Sequence, residues 1–179
     1  MKNKENRPDD NEILREGVRH LSQAFSVVDR DLNLVIWNPQ FAKLLGFPDE
    51  LLYEGAPLAS FFRHNAERGE YGDGDLDALV DERLELAKQH KAHRFQRVTK
   101  DGIVLDVVGN PLPSGGFVTT YTDVTERVNL EKELSRAKAD SELASRISHT
   151  GFWRVQLDPQ VLFWSPEVYR IYGLPAGQP

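Results

Sequence analysis

The sequence of 179 residues contains no cysteine. This absence excludes disulfides, cysteine-ligated zinc or iron–sulfur sites, thiolate nucleophiles and any photochemistry that adds a thiol to flavin. Long apolar runs are missing too, because no stretch approaches the roughly 18 apolar residues that a membrane span requires, and the start lacks the apolar core of a signal peptide. We therefore expect a cytoplasmic location and no membrane span in these residues.

Positive charge is also scarce, with 22 Lys and Arg against 28 Asp and Glu and a net charge of −6. Because nucleic-acid phosphates are bound by clustered basic residues, the composition gives no indication of nucleic acid as a partner. Known catalytic patterns are absent as well, among them the nucleophile elbow, the Walker loop, paired metal-binding histidines and the dinucleotide fingerprint. We expect the chain itself to catalyse nothing, and we expect no metal site.

The most informative feature that is present is an internal repeat. Residues 36–48 align without a gap with residues 163–175, so that Trp37 matches Trp164 at an offset of 127 residues. In both blocks a residue that can cap a helix precedes a proline suited to the first helical position, and a Gly-apolar-Pro sequence ends the helix. The capping residues are Asn38 and Ser165, and the terminating glycines are Gly46 and Gly173. Each block predicts a strand that runs directly into a short helix.

Hydrophobic periodicity around the first block predicts two strands, several helices and then three more strands. The predicted strands are 25–29, 34–37, 93–99, 103–110 and 117–122; the predicted helices are 10–23, 49–53, 57–64 and 76–87; residues 67–74 are predicted to be a loop. This order predicts an α+β fold with one antiparallel sheet and helices packed on one face.

The block ending in LLGFP, the hairpin Lys100-Asp101-Gly102 and the terminal Asp123-Val124-Thr125 resemble the PAS sensor domain family. The resemblance implies a five-stranded antiparallel sheet that encloses a ligand pocket with its helices and is flanked by N-terminal and C-terminal helices. Residues 151–179 resemble the start of a second PAS domain without its remaining strands, so we expect the chain to be part of a longer protein or to bind something that completes it. The predicted parts are an N-terminal segment with an amphipathic helix (1–20), a PAS domain (21–126), a helical linker (127–148) and the start of a second, incomplete PAS domain (149–179).

Two groups of candidate functional residues follow. In the family, the last strand passes its signal to a helix at the Asp-Val-Thr junction, and Asp123 with Glu126 three residues later forms a capping-box pattern. The predicted junction comprises Asp123, Val124, Thr125 and Glu126. The candidate pocket residues are Trp37, Phe41, Leu45, Phe61, Leu79, Val107 and Tyr121. A solidly packed core explains the pocket residues equally well.

The sequence does not identify a cofactor, and no motif in it requires one. His64, His90 and His93 invite comparison with haem-binding PAS domains, in which a histidine from the helical region ligates iron, but spacing alone does not establish ligation. A flavin is the other candidate.

The residues from Asp123 to Ser148 include neither glycine nor proline and predict one continuous helix of about 39 Å. A heptad seam along it indicates a coiled coil and hence a homodimer, to which the N-terminal helix would also contribute. The seam comprises Leu130, Leu134, Ala137, Ser141, Ala144 and Ser148, and the N-terminal stripe comprises Leu14, Gly17, Val18, Leu21 and Phe25. The alternatives are an exposed monomeric connector and an N-terminal helix that simply packs on its own sheet.

The resemblance implies the signal-input module of a two-component sensor histidine kinase, which acts on a downstream output domain of the same protein. Two alternatives stay open. One is the input domain of a cyclic-dinucleotide synthase or hydrolase, and the other is a ligand-free scaffold for dimerisation and spacing. The volume of the predicted pocket separates the sensor from the scaffold.

Overall fold

The fold is described from a computed structural model, which describes residues 10–157 and 160–175. The chain divides into two compact units, Met1–Glu126 and Arg127–Pro179.

The first unit is built on a five-stranded antiparallel sheet. Its strands are β1 (Ala24–Val28), β2 (Leu34–Trp37), β3 (His93–Val98), β4 (Val104–Pro111) and β5 (Phe117–Asp123), in the spatial order β2-β1-β5-β4-β3. The last strand of this unit, β5, is therefore the central strand of the sheet. The predicted α+β fold, with two strands before the helices and three after them, is confirmed.

Among the residues described, four helices belong to the first unit, the first before β1 and the other three between the two groups of strands. They are α1 (Asp10–Arg19), α2 (Pro39–Leu45), α3 (Leu58–Glu67) and α4 (Leu76–Lys88), with a 3-10 turn at Asp49–Leu51. The second unit continues α5 (Thr125–Ser148) and contains β6 (Trp153–Leu157), β7 (Gln160–Trp164) and α6 (Pro166–Tyr172). Within residues 10–157 and 160–175, none of these helices is both long and apolar enough for a membrane crossing.

Helix α1 ends at Arg19, four residues before the predicted end at Gln23. The side-chain amide of Asn38 donates to the backbone oxygens of Leu21 at 3.2 Å and of Gln23 at 2.8 Å. Because these carbonyl groups accept hydrogen bonds from a side chain outside the helix, residues 20–23 lead into β1 and do not continue α1. The predicted stripe is divided accordingly: Gly17 and Val18 lie on α1, Leu21 and Phe25 lie beyond it, and the side chain of Leu14 is outside the described residues.

The two copies of the repeat pair their strands in the same register. Ser26 lies opposite Trp37 in the first unit, and Trp153 lies opposite Trp164 in the second. Each pair is offset from the other by the same 127 residues as the sequence blocks. The strand-to-helix interpretation of both blocks is confirmed.

The ends of the two short helices also match. Gly46 and Gly173 adopt left-handed φ values of 65° and 69°, which favour glycine over residues that carry a β-carbon. The residue after each glycine donates its N–H to a carbonyl in the helix, from Phe47 to Ala42 at 3.1 Å and from Leu174 to Tyr169 at 2.9 Å. This is the hydrogen bond of a Schellman-type helix end.

The starts of the two helices differ. Asn38 Oδ1 accepts hydrogen bonds from the N–H groups of Phe41 and Phe25, both at 3.1 Å, and thus caps α2 as predicted. Ser165 makes no such cap on α6, so that prediction is wrong. Its hydroxyl oxygen instead accepts from Phe152 N–H at 3.0 Å, the equivalent of the Phe25 bond.

The core of the first unit centres on Phe41, which is 3% exposed. Its ring lies 5.1 Å from that of Phe47, 5.9 Å from Phe61 and 5.5 Å from Tyr121, measured between ring centres. Burial of each such aromatic side chain contributes about 1.5–3 kcal/mol. The cluster joins α2 and α3 to the central strand β5.

Candidate functional site

A cavity of about 530 Å³ lies in the first unit, between the sheet and helices α2, α3 and α4. Its volume falls within the range typical of pockets for small organic ligands. Five of the seven predicted pocket residues line it, namely Phe41, Leu45, Phe61, Val107 and Tyr121. The core of this unit is therefore open at this position and is not packed solid.

The other two predicted pocket residues, Trp37 and Leu79, are not among those that line the cavity. Trp37 ends β2 and packs against the edge of the core, and Leu79 packs over Gly74 at the start of α4. Instead, α4 contributes Arg83, Leu86 and Ala87 to the wall. Helical periodicity identifies an apolar face of α4, but it does not say which turn of that face borders an empty space.

The sheet presents two cross-strand rows of residues to the cavity. In the first row Phe95, Val107 and Tyr121 lie opposite one another on β3, β4 and β5. In the second row, His93 lies opposite Gly109 on β4, and a β-carbon at Gly109 would come within 2.2 Å of the imidazole ring. The ring of His93 thus lies directly on the backbone of β4, in a place that only glycine leaves free.

An ion pair between β3 and the loop before α4 forms another part of the wall. Arg97 Nη1 donates to Glu70 Oε2 at 2.6 Å, and the Glu70 side chain is only 2% exposed. Glu70 belongs to the stretch 67–74 that the sequence predicts to be a loop. The loop therefore supplies a cavity wall, which local sequence patterns did not indicate.

Next to this pair, Tyr71 lies between Asn65 and Arg83. Asn65 Nδ2 donates to the Tyr71 hydroxyl at 3.2 Å, and the Arg83 guanidinium carbon lies 3.6 Å from the centre of the Tyr71 ring. The other amide atom of Asn65, Oδ1, is buried and has no hydrogen-bond partner among the described residues. Because a buried acceptor without a partner is unfavourable, Asn65 is a candidate ligand contact.

Two tyrosines on the wall have perturbed acidity. Burial raises the pKa of Tyr71 above its ordinary value, against the opposing effects of the hydrogen bond with Asn65 and the charge of Arg97. Burial likewise raises the pKa of Tyr121, against the opposing effect of a hydrogen bond with Ser26. Both phenols are therefore neutral hydrogen-bonding groups at neutral pH.

The cavity opens to solvent between the end of α4 and β3. Leu86 and Phe95 both line it, although they are 61% and 47% exposed. Lys91 and His93 lie on the same side. This opening gives a small molecule a route to the apolar interior.

The three histidines compared with haem ligands do not meet in the cavity. His93 lines it, whereas His64 and His90 are not among its lining residues. His90 stacks on the ring of Phe117 at 5.2 Å, and its Nε2, like that of His64, is buried without a hydrogen-bond partner in the described part of the chain. Among the residues that the structure describes, no group of three or more His, Asp or Glu side chains is placed to hold a metal ion.

The predicted junction lies where β5 passes into α5. Asp123 Oδ1 accepts hydrogen bonds from the N–H of Thr125 at 2.9 Å and from its hydroxyl at 2.6 Å. The Thr125 hydroxyl in turn accepts from Val104 N–H at 2.8 Å, and Val124 N–H donates to the Val104 carbonyl at 2.8 Å. The start of the helix is thus fastened to both β4 and β5.

This arrangement differs from the predicted capping box. Helix α5 begins at Thr125, so Asp123 lies two residues before the helix and accepts the N–H of its first residue. Glu126 is the second residue of the helix, whereas a capping box requires the third. Val124 stands between Asp123 and the helix and is buried. The hydroxyl of Thr125, which sequence reasoning left without a separate role, makes the bond to β4.

The cavity and the junction are adjacent along the sheet. Val107 pairs with Tyr121 at the cavity, and Leu105 pairs with Asp123 at the junction. Two residues of a strand span about 7 Å. The cavity wall at Tyr121 and the base of α5 are therefore neighbours along β5.

Comparison with known proteins agrees with this architecture. A family described as the PAS fold matches residues 18–132. The PAS domain of BvgS from Bordetella pertussis is 16% identical, with a TM-score of 0.48 over 73% of this chain and 97% of that one. A domain of a sensory box sensor histidine kinase/response regulator from Geobacter sulfurreducens is 16% identical, with a TM-score of 0.41 over 63% of this chain and 93% of that one.

An RNA-binding Light-Oxygen-Voltage receptor is 19% identical, with a TM-score of 0.48 over 80% of this chain. The chain covers 42% of that receptor, which is less than half of its length. No curated protein sequence matches the chain significantly.

Proposed function

The chain belongs to the PAS fold family, and from this membership we propose that it detects a small molecule and passes the response through the Asp123–Thr125 junction to helix α5. The PAS domain gives it a signal-input role. We further propose that the parent protein is a bacterial sensor histidine kinase whose output domain receives that response. A cyclic-dinucleotide synthase or hydrolase is the alternative output.

One observation carries the proposal: the cavity wall and the helix junction share strand β5. Tyr121 lines the cavity, and Asp123, two residues later, binds the first helical N–H of α5. A ligand that moves Tyr121 would change the position of Asp123 and of the Val104–Thr125 hydrogen bond. The ligand would then shift the position of α5 only to the extent that it binds more tightly to one position of β5 than to the other.

A cavity-filling substitution tests the proposal without a known ligand. Thr119 lines the cavity on β5, whereas Thr120 points to the other face of the same strand. We expect Thr119→Phe to change the amide hydrogen exchange of Val128 to Glu131, the first turn with intrahelical acceptors, by about tenfold or more, and Thr120→Phe to leave it unchanged. If both variants leave the exchange of this turn unchanged, the cavity and the helix are not coupled.

A homodimer is the second part of the proposal. Leu130 and Leu134 of the predicted seam are 57% and 73% exposed, and α5 has no buried residue among those described. Two parallel copies of α5 would cover these leucines, with α1 contributing to the same dimer. Light scattering on the purified protein should give twice the chain mass, and Leu130→Glu with Leu134→Glu should give the monomer.

The exposed leucines also favour a second candidate function, a ligand-free scaffold that dimerises and sets the spacing of other domains, whereas the open cavity favours the sensor. The two functions differ in what native mass spectrometry and the Thr119→Phe variant should show. A scaffold releases no small molecule on denaturation, and its α5 exchange does not respond to a filled cavity. A dimer alone is consistent with either function.

A further inference from the structure

The wall of the cavity carries a charge opposite to that of the chain as a whole. The chain has a net charge of −6. Among the residues that line the cavity, however, Arg83, Lys91 and Arg97 are basic and Glu70 is the one carboxylate. In a partly desolvated site, this excess of positive charge favours an anionic ligand over a neutral or cationic one of the same shape.

Arg97 retains most of its hydrogen-bonding capacity. Its guanidinium has five N–H donors, and it gives Nη1 to Glu70 Oε2 at 2.6 Å. Its side chain is 19% exposed, so water reaches it only in part. The remaining donors make no hydrogen bond within the described part of the chain, which leaves them available to a carboxylate.

Arg83 brings a second guanidinium to the cavity, from α4, whereas Arg97 lies on β3. It donates to the Leu79 carbonyl at 2.8 Å and lies over the face of Tyr71, which holds the guanidinium at the cavity. Its one carboxylate neighbour among the described residues is Glu82, at 3.4 Å, whose side chain is 67% exposed, so that solvent weakens this pairing. The charges of both Arg83 and Arg97 act to lower the pKa of Tyr71. The electrostatic field of the pair therefore reaches the phenol, where a bound anion would be stabilised.

Asn65 adds a separate requirement. It is 6% exposed and lines the cavity, and its Oδ1 lacks a donor among the described residues. An N–H or O–H group on the ligand would supply that donor. The ligand should therefore carry a donor in addition to its anionic group.

Much of the remaining wall is aromatic, beside aliphatic side chains such as Leu45 and Val107. Phe41, Phe47, Phe61, Phe117 and Tyr121 all line the cavity. Aromatic rings pack well with a flat apolar ring in tilted or edge-to-face arrangements, as the rings of Phe47 and Phe61 already do at 4.9 Å. This part of the wall indicates an aromatic body and not a fully polar metabolite.

Building on the proposed sensory function, we propose that the cavity binds a small aromatic acid that carries a hydrogen-bond donor. The ring packs against the aromatic wall around Phe41, the carboxylate binds Arg83 and Arg97, and the donor binds Asn65 Oδ1. Recognition of this kind separates an acid from its uncharged amide, because only the acid makes charge-assisted hydrogen bonds with the guanidinium groups.

Titration calorimetry on the whole chain tests this with two probes of matched shape, indole-3-acetate and indole-3-acetamide. We expect the acid to bind at least about tenfold more tightly than the amide. Arg83→Gln should weaken binding of the acid by about tenfold and leave the amide unchanged. The matched control is Arg63→Gln, because Arg63 pairs with Asp77 outside the cavity and should affect neither probe.

Arg97 is tested in a Glu70→Gln background, because loss of Arg97 alone would leave a buried carboxylate with only Arg68, at 3.7 Å, as a charged partner. Adding Arg97→Gln to that background should again weaken the acid selectively.

Equal binding of the two probes, equal weakening of both by Arg83→Gln, or no binding of either probe would each overturn the proposed ligand class. The proposed function is judged independently, by the helix exchange of the Thr119→Phe variant, which needs no ligand. The two ideas can therefore fail separately.

Discussion

The carbonyl oxygen of Val28 fills the space beside the α-carbon of Gly116, where an added β-carbon would lie only 2.1 Å from it. Gly116 precedes β5 and has a φ of 82°, so an alanine there would suffer both backbone strain and a collision with β1. We expect Gly116→Ala to lower the free energy of unfolding by about 3 kcal/mol or more, measured by urea denaturation. Gly102 is a matched control, because it has the same φ of 82° but open space around it. Gly102→Ala should cost only about 1–2 kcal/mol. Equal losses in the two variants would show that close packing at Gly116 has no energetic consequence.

The side chain of Asn38 should be among the most sensitive polar groups of the first unit. It is fully buried, accepts from two backbone N–H groups and donates to two carbonyls. We expect Asn38→Ala to destabilise the protein by about 3 kcal/mol, because it removes a helix cap and leaves buried backbone groups without partners. Asn38→Ser introduces the residue that stands at the equivalent position, Ser165, in the second copy. This variant should lose less stability than Asn38→Ala, because its hydroxyl can still accept from Phe25 N–H. Similar unfolding midpoints for the two variants would contradict this account.

The Thr125 hydroxyl should control the attachment of α5 to β4. Thr125→Val removes the acceptor of the Val104 N–H, and we expect a loss of about 1–2 kcal/mol together with faster amide exchange at Val104. Thr125→Ser keeps the hydroxyl and should preserve the slow exchange. Hydrogen exchange measured by NMR compares the two directly, and an unchanged rate at Val104 in Thr125→Val would rule out the bond as a structural link.

The buried tyrosines should make the protein sensitive to alkaline pH. Burial raises the pKa of Tyr121 above the ordinary value of 10.0, so the folded state holds this proton more tightly than the unfolded chain does. The stabilising contribution is complete below pH 10.0 and is lost as the pH rises through the folded-state pKa. Tyr121→Phe should therefore show a shallower loss of stability above that pH than the original protein. Tyr71→Phe should act in the same direction, because burial raises its pKa as well. Parallel pH profiles for all three proteins would contradict the assignment.

Local signals made the repeat predictable. The proline, the capping residue and the terminal glycine of residues 36–48 each act within a few residues, and α2 begins and ends where they indicate. The same signals in residues 163–175 predicted the bounds of α6 but not the hydrogen bonding at its start, where Ser165 accepts from Phe152 N–H and makes no cap. The bounds of a helix can be predicted where the residues that set them lie within a few positions of its ends.

The polar part of the cavity was not predictable for the opposite reason. Glu70 and Arg97 are 27 residues apart and meet only after the loop folds over β3. The early end of α1 has a similar cause, since the amide that binds Leu21 comes from Asn38, 17 residues later. The apolar residues of the cavity were largely found because periodicity reports which faces are buried, but it does not report where the burial leaves a space. The dimer and the output domain stay predictions.

The central position of β5 has a consequence for the order in which the protein can fold during synthesis. A ribosome releases β1 and β2 first and β3 and β4 later. These two pairs of strands are joined only by β5, which pairs with β1 on one side and with β4 on the other. Until Phe117 to Asp123 has emerged, the nascent chain can form two separate antiparallel pairs, each with an open edge and an uncovered apolar face. Such edges invite pairing with other chains, and closing the sheet requires contacts between residues as distant as Ala24 and Tyr121. Nascent chains stalled before β5 should therefore be the form of this protein most prone to aggregation and most in need of a chaperone.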